Sequence, residues 1–197
     1  MEKLNGFETH RQVFHILFGL AIVILLLYGF LNKETILGLI LIGTILSFLS
    51  RRMKVPIIYN LLQKFEREAE IKKFPGKGII FYLIGIYASL VLFPMEVAMA
   101  SIMVLALGDS ISHLYGLHYG KTRHPLSKTK FLEGTIAGLV AGFIGALIFL
   151  PWHEAFFASL AAMIIEGIEI KLGTEQVDDN LVVPVVAGTT VWIIRLA

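Results

Sequence analysis

Seven apolar segments dominate this chain, and their length restricts the fold more than any single motif does. Residues 12–32 contain no Lys, Arg, Asp or Glu, and roughly 20 such residues suffice to cross a bilayer. Because 56% of the 197 residues are hydrophobic and 16% are charged, the chain cannot bury its apolar surface in one water-soluble core. We therefore predict an all-α integral membrane protein with a single polytopic domain over residues 1–197. The seven predicted transmembrane helices cover residues 12–32, 35–50, 78–94, 97–119, 134–150, 155–170 and 181–197.

Residues 55–73 have a different, amphipathic character within a linker of about residues 55–76. Apolar side chains recur there at helical spacing, while Lys, Arg and Glu side chains largely occupy the other side. This pattern predicts a helix that lies in the membrane interface instead of crossing the bilayer. The apolar positions are Ile57, Ile58, Leu61, Leu62 and Phe65.

The basic residues indicate which side of the membrane carries the chemistry. If the N-terminus is cytoplasmic, only Lys33 and Arg195 of the 17 Lys and Arg residues lie on the opposite side, as the positive-inside rule requires. The same topology places all three aspartates, Asp109, Asp178 and Asp179, on the cytoplasmic side. We therefore predict a cytoplasmic active face and an opposite face with little chemistry. The first apolar segment lacks a small-residue cleavage site, so we expect it to be retained as a helix.

Composition excludes several kinds of function. The chain has no cysteine, which excludes disulfides, thiolate metal sites and cysteine nucleophiles. A net charge of +2 is too small to favour nucleic acid as a partner. Membrane lipids are the expected surroundings, and whether the protein forms a homodimer is left open.

A candidate site begins where the fourth apolar segment meets a basic loop. Asp109 lies near this edge, and Lys121, Arg123, Lys128 and Lys130 follow before apolar sequence resumes. Ionisable groups near the hydrocarbon are costly and often functional. A polyphosphate with a divalent metal would satisfy both signs of charge. The alternative explanations are a structural aspartate and an ordinary positive-inside loop.

Other acidic and polar residues are candidates for the same site. Asp178, Asp179 and Asn180 lead directly into the last apolar segment. Adjacent carboxylates would cap a helix acceptably, but beside hydrocarbon they favour a hard cation such as Mg²⁺. Three further candidates have structural alternatives, such as helix-dipole pairing or a buried hydrogen bond. They are Glu133 at a helix start, Glu166 near a helix end, and His15 inside the first span.

The spacing of these residues resembles that of a known family. The pattern comprises Gly108-Asp109 with Gly116, Gly120-Lys121, Lys130-x-x-Glu133-Gly134-Thr135, Glu166, Asp178-Asp179-Asn180-Leu181-x-x-Pro184, Glu8-x-x-Arg11-x-x-x-His15 and Lys77-Gly78. It is similar to that of the CTP-dependent lipid kinases, which include dolichol kinase, phytol kinase and the CTP-using diacylglycerol kinase. The specific part covers residues 108–184. One departure is Phe131, because the family commonly has Ser or Thr directly after the lysine.

The resemblance implies a membrane kinase that transfers a phosphoryl group from CTP to the hydroxyl of a polyprenol or other isoprenoid alcohol, with Mg²⁺ as cofactor. Asp109, Asp178 and Asp179 would coordinate the metal. Nucleotide contacts would come from Lys77, Gly120, Lys121, Lys128, Lys130 and Asn180. Asp109, Lys130, Glu133 and Asp179 would surround the reaction, and the base would be His15, Glu166 or an aspartate.

Two other functions are alternatives. A cytidylyltransferase would use the same CTP and metal, but it would accept a lipid phosphate and release pyrophosphate. A non-enzymatic transporter would place ionisable groups along a path that reaches both faces, whereas the predicted topology gathers them on one face. Analysis of the products distinguishes the kinase, which would release CDP, from the cytidylyltransferase, which would release pyrophosphate.

Overall fold

The computed structural model describes residues 2–52, 62–63, 66, 68–127, 129–168, 171–172 and 175–196. Over these residues the chain forms a bundle of helices. The helices are α1 (Glu2–Leu27), α2 (Lys33–Arg52), α3 (Glu68–Lys73), α4 (Lys77–Leu92), α5 (Met95–Met103), a π-helical segment (Val104–Asp109), α6 (Ser110–Tyr119), α7 (Leu132–Ala146), α8 (Trp152–Glu166) and α9 (Asp179–Leu196). Two short strands, β1 (Lys171–Leu172) and β2 (Glu175–Gln176), pair antiparallel with Lys171 opposite Gln176.

The helix lengths confirm the all-α membrane class. Within the described residues, four helical stretches are long and apolar enough to cross a bilayer. They are Gly6–Leu27, Lys33–Ser50, Met95–Tyr119 and Asp179–Leu196. Two shorter apolar helices, α4 and α7, lie between them in the chain. α5, the π-helical segment and α6 form one of the four long stretches. Together with α4, α7 and α8, these stretches give seven helices within the described residues, as predicted.

Some boundaries differ from the sequence prediction. α1 begins at Glu2 instead of residue 12, and α8 ends at Glu166 instead of continuing to residue 170. Gly167 follows α8 directly, and glycine is a poor helix former. The strands β1 and β2 come next and were not predicted. Most of the predicted interfacial helix lies outside the described residues, although α3 falls within its range.

The π-helical segment lies at the centre of the bundle. Helices α1, α5, α7, α8 and α9 all pack against it, and Val104, Leu105 and Ala106 are completely buried. A π-helical turn contains an extra residue, so it changes which side chains of the following helix face a given neighbour. Asp109 ends this segment, directly before α6. Such turns occur often at functional sites.

Glycines bring α7 close to the segment that contains Asp109. Gly134, Gly138 and Gly142 follow one another at a spacing of four residues, which predicts close helix packing through small side chains. A Cβ atom on Gly134 would lie 2.5 Å from the Ser112 carbonyl oxygen, and one on Gly138 would lie 2.6 Å from the Gly108 carbonyl oxygen. The structure therefore confirms the predicted close packing. This packing determines how deep Asp109 lies in the bundle.

An ion cluster lies at the far end of α9. The Arg195 guanidinium donates to Glu154 Oε1 at 3.0 Å and Oε2 at 2.9 Å, and to Glu96 Oε1 at 2.9 Å. These contacts join the C-terminal end of α9 to the first turns of α8 and α5. We call these three residues the Arg195 cluster.

Candidate active site

A cavity of about 470 Å³ opens at the end of the bundle where α9 begins. This volume lies within the range of small-molecule sites. Its walls come from α1, α3, α4, α6, α8, the start of α9 and the loop before α7. The sequence-predicted residues that line it are His15, Lys77, Asp109, Lys130, Glu166, Asp178, Asp179 and Asn180. Residues separated by more than 100 positions in the chain thus share one cavity.

Lys130 lies at the centre of a group of carboxylates. Its Nζ atom is 2.7 Å from Glu166 Oε1 and 2.9 Å from Asp179 Oδ2, and it also donates to the Glu166 carbonyl oxygen. Burial alone would lower the pKa of the Lys130 ammonium, but Glu166, Asp179 and Asp109 together hold this pKa above its ordinary value. These carboxylates therefore stabilise the charged form of Lys130, which links the end of α8 to the start of α9.

Asp109, His113 and Glu166 form a possible metal-binding group in the same cavity. Asp109 Oδ1 lies 3.7 Å from His113 Nδ1, and this nitrogen lies 3.9 Å from Glu166 Oε1. One potential ligand atom from each residue falls within 4.8 Å of the others. Asp109 is 6% exposed, and its Oδ1 atom accepts no hydrogen bond within the described chain. A buried carboxylate oxygen without a donor is costly, so this geometry favours a bound cation.

The Asp178 side chain has a structural role at the start of α9. Its Oδ1 atom accepts hydrogen bonds from the Asn180 backbone at 3.2 Å and from Asn180 Nδ2 at 2.8 Å. Its Oδ2 atom lies 3.7 Å from Lys77 Nζ. Burial raises the pKa of the Asp178 carboxyl above its ordinary value, and the nearby Lys77 opposes this effect. Asp178 thus caps α9, while the neighbouring Asp179 contacts Lys130.

Hydrogen bonds within the basic loop fix the position of Lys130. Ser127 Oγ accepts hydrogen bonds from the backbone N–H groups of Thr129 at 3.1 Å and Lys130 at 3.2 Å. The His124 N–H donates to the Lys130 carbonyl oxygen at 3.0 Å, and the His124 ring packs against Gly167. This loop therefore contacts Gly167, the residue that follows Glu166. The contact aligns Lys130 with Glu166.

A buried glutamate positions Lys77 on the other side of the cavity. Glu66 accepts hydrogen bonds from the N–H groups of Gly76 at 2.7 Å and Gly78 at 3.0 Å, on either side of Lys77. These N–H groups belong to the first turn of α4 and the residue before it, which have no partners within the helix. Glu66 was predicted only as a polar residue of the interfacial helix, and long-range contacts of this kind leave no local sequence signal.

Three predicted site residues do not line the cavity. Glu133 accepts hydrogen bonds from the backbone N–H groups of Lys121 at 3.2 Å and Thr122 at 3.0 Å, so it closes its own loop. Gly120 is not part of the cavity wall, although it packs against Phe131, which is. Contacts from Gly120, Lys121 and Glu133 to a nucleotide stay predictions. Lys128 lies outside the described residues.

Comparison with known proteins gives the family. The chain is 34% identical to an uncharacterised protein of Methanocaldococcus jannaschii over 92% of this chain and 91% of that protein. It is 28% identical to CTP-dependent diacylglycerol kinase 1 of Schizosaccharomyces pombe over 95% of this chain and 93% of that protein. The chain belongs to the CTP-dependent lipid kinase family. Dolichol kinase of Saccharomyces cerevisiae is 26% identical over 90% of this chain but only 35% of its own length. No family model and no solved structure matches the chain.

The cavity of this lipid kinase family member has more negative than positive groups. Among the described residues that line it, Arg11, Lys77 and Lys130 are the cations. The carboxylates are Glu8, Glu70, Asp109, Glu166, Asp178 and Asp179. Glu8 and Arg11 pair with each other at 2.9 Å. This excess of buried carboxylates favours a bound cation.

Gln12 and Glu70 line the cavity of this family member but were not predicted as site residues. Gln12 lies between Arg11 and His15 on α1, and the three line the same cavity. Polar residues at positions 8, 11, 12 and 15 of a transmembrane helix share one face, and this stripe was the available signal. Glu70 belongs to α3, whose approach to the cavity depends on tertiary structure alone.

Proposed function

We propose that this protein is a membrane kinase that transfers the terminal phosphoryl group of CTP to the hydroxyl of a polyprenol-type lipid alcohol, with Mg²⁺ as cofactor. The observation that carries the proposal is the cavity group of Asp109, Glu166 and Asp179 around Lys130. In a phosphoryl transfer, cations must offset the charge of the triphosphate, and the acceptor must be held in line. A membrane cavity with carboxylates and two lysines supplies groups for both needs.

The donor set of the cavity fits Mg²⁺. This ion prefers carboxylate oxygens and retains several water molecules, and Asp109 Oδ1 is a buried oxygen without a hydrogen-bond donor in the described chain. Asp109 and Asp179 would hold the ion, with Asp178 and Glu166 as neighbouring carboxylates. Held by these carboxylates, Mg²⁺ would supply the positive charge that offsets the negative charge of the phosphates during transfer.

The side chains of the cavity would bind the phosphates and accept the hydroxyl proton. Lys130 and Lys77 would contact phosphate oxygens, because ammonium groups donate to phosphate in several directions. The alcohol oxygen forms a bond to the γ-phosphorus, the bond from that phosphorus to the β–γ bridging oxygen breaks, and CDP leaves. The hydroxyl proton passes to a base in the cavity. His15 and Glu166 line the cavity and are the candidates for this base.

Names of relatives support an isoprenoid acceptor. Besides the yeast dolichol kinase, phytol kinase 1 and farnesol kinase of Arabidopsis thaliana are 27% and 24% identical to parts of this chain. All three names denote kinases of isoprenoid alcohols. Diacylglycerol is the second candidate, because the fission yeast diacylglycerol kinase matches this chain over nearly its whole length.

A transfer assay tests the proposal. Purified protein in lipid nanodiscs receives Mg²⁺, γ-labelled CTP and, separately, a C55 polyprenol, geranylgeraniol, phytol or diacylglycerol. We expect label in a lipid monophosphate, CDP as the other product, and the highest kcat/KM with the polyprenol. A preference for diacylglycerol would replace the acceptor in the proposal. Release of pyrophosphate with a lipid phosphate acceptor would establish a cytidylyltransferase, and solute transport without transfer would refute both enzymes.

We also propose that the cavity opens to the cytoplasm and that the N-terminus lies on the same side. The support is the excess of Lys and Arg residues on that face, with 17 such residues in the chain and only Lys33 and Arg195 on the other side. Reporter fusions within the loop of residues 120–130 should give cytoplasmic signals. An external signal there would overturn the topology and the access to cytoplasmic CTP.

A further inference from the structure

The α1 wall of the cavity carries two buried polar groups that the phosphate and metal contacts leave unused. Gln12 is 3% exposed and His15 is 8% exposed, and both line the cavity. Gln12 Oε1 and His15 Nδ1 have no hydrogen-bond partner within the described chain. Because their spacing is three residues, both project from one face of the helix. Buried polar atoms without partners are rare in proteins and indicate a ligand or water.

His15 is held firmly in this position. The Tyr82 hydroxyl of α4 donates to the His15 carbonyl oxygen at 3.2 Å, and the two rings meet edge to face with centroids 5.1 Å apart. Tyr82 is 1% exposed. Gly19 allows this approach, because a Cβ atom there would collide with the Tyr82 hydroxyl. The His15 ring is therefore a preorganised hydrogen-bonding group, not a mobile surface side chain.

The chemistry of this wall differs from that of the rest of the cavity. Lys130, Glu166 and Asp179 form a charged wall that suits phosphate and metal. Gln12 Oε1 is the oxygen of a neutral amide, and Glu8 and Arg11, nearer the N-terminus of α1, neutralise each other at 2.9 Å. A neutral hydroxyl fits such a wall better than a phosphate does, since it needs one acceptor for its proton and one donor for its oxygen.

The position of α1 places this wall beside the bilayer. Val13 and Leu17, on the same helix, are 42% and 61% exposed on the outer surface of the bundle. The helix thus separates the cavity from the bilayer at the level of Gln12 and His15. His15 and Asp109 line the same cavity. A hydroxyl held at His15 would therefore lie near the proposed metal site, while its hydrocarbon chain remained among lipids.

We propose that Gln12 and His15 form the binding subsite for the hydroxyl of the lipid alcohol, which rests on the proposed kinase function. A cytosine base is the competing occupant, because it too is neutral and polar. The base lies at the opposite end of CTP from the transferred phosphate. A subsite beside Asp109 would thus hold the acceptor and not the base.

The test measures binding and catalysis in nanodiscs with the full-length chain. Gln12→Leu and His15→Leu remove the hydrogen-bonding atoms, and His10→Ala on the exposed face of the same helix is the matched control. We expect KM for the polyprenol to rise about tenfold in each variant, which corresponds to one lost hydrogen bond, while KM for CTP changes less than twofold. Equilibrium binding of labelled geranylgeraniol without CTP should weaken by a similar factor.

Thermal stability separates a binding role from a structural one. Because Gln12 Oε1 makes no hydrogen bond within the described chain, Gln12→Leu should keep or raise the melting temperature while alcohol binding falls. Unchanged alcohol binding in both variants would overturn the subsite, and a rise confined to KM for CTP would assign it to the base. If the wild type binds alcohol but transfers no phosphoryl group, the kinase function fails and the binding comparison still decides the subsite. If His15→Leu does not fold, Gln12→Leu and Gln12→Asn decide the outcome.

Discussion

The two ends of α9 carry charged clusters that are built differently. At its C-terminal end, Arg195 donates to both carboxylate oxygens of Glu154 and to Glu96. At its N-terminal end, Lys130 contacts Glu166 and Asp179, while the nearby Asp109 retains a buried oxygen without a hydrogen-bond donor in the described chain. In the first cluster, each of the three guanidinium nitrogens donates to a carboxylate. The second has more carboxylate oxygens than the described lysines satisfy, and it borders a cavity.

This difference separates a structural ion cluster from a binding site. A bidentate pair between arginine and glutamate is stabilised by two parallel hydrogen bonds. Such a pair needs no further ligand. A group of buried carboxylates around one lysine is destabilising unless another cation joins it. The four predictions below test this distinction in order of decreasing effect.

Asp109→Asn should cause the largest loss of activity, about 100- to 1,000-fold in kcat. The amide has nearly the same shape as the carboxylate, so the bundle should persist, but its neutral oxygen is a poorer ligand for Mg²⁺. Kinetics with labelled CTP over a range of Mg²⁺ concentrations measure the effect, and size-exclusion chromatography checks the fold. Wild-type turnover with an unchanged Mg²⁺ dependence would refute the metal assignment.

The matched control lies in the Arg195 cluster. Glu154→Gln also replaces a buried carboxylate by an amide, and Glu154 is 7% exposed, close to the 6% of Asp109. We expect this variant to lose thermal stability and to keep its kcat. Equal losses of activity in the two variants would remove the distinction between the clusters.

Lys130→Met should reduce activity about 100-fold and lower stability as well. The substitution leaves the fully buried Glu166 carboxylate without its cation, and breaking a buried ion pair costs about 3 to 5 kcal/mol. Adding Glu166→Gln should restore most of the melting temperature without restoring activity. A double variant as unstable as Lys130→Met would show that the pair does not control stability.

Gly85→Ala should reduce kcat about tenfold to 100-fold through a displacement of α9. A Cβ atom on Gly85 would collide with the backbone carbonyl of Asn180, beside Asp178 and Asp179. Since the obstacle is backbone, the start of α9 must move. Kinetics and melting temperature measure the result. Gly38→Ala is the control, because a Cβ atom there meets no atom within 4 Å, and wild-type activity in Gly85→Ala would show that α9 tolerates the shift.

Apolar length and motif spacing predicted much of the architecture. The seven helices follow from apolar runs, because a bilayer requires helices of a given length whatever their packing. The association of Asp109, Lys130 and Asp179 in one cavity agrees with the motif pattern. Their chemical roles depend on the experiments above, since the geometry alone tests none of them.

Side-chain direction and long-range pairing could not be predicted from the sequence. Lys121 and Glu133 lie within the motif region, yet the path of the loop lets the Lys121 backbone N–H donate to the Glu133 carboxylate. Arg195 and Glu96 are 99 positions apart, and single-residue patterns carry no signal for such a pair. The strands β1 and β2 contain two residues each, too few for a recognisable alternation.

Arg195→Gln should have the smallest effect, about 1 kcal/mol in stability, because its side chain is 34% exposed and water screens such pairs. The melting temperature in detergent should fall slightly, while kcat and both KM values stay unchanged. Within the cluster, Glu154→Gln should lower the melting temperature more than Glu96→Gln does, since the side chain of Glu154 is 9% exposed and that of Glu96 is 48% exposed. Arg195→Lys should recover little of the loss, because an ammonium cannot bind both Glu154 oxygens in a bidentate way. A marked fall in kcat for Arg195→Gln would show that the far end of α9 controls the position of Asp179, and the two clusters would then form one functional unit.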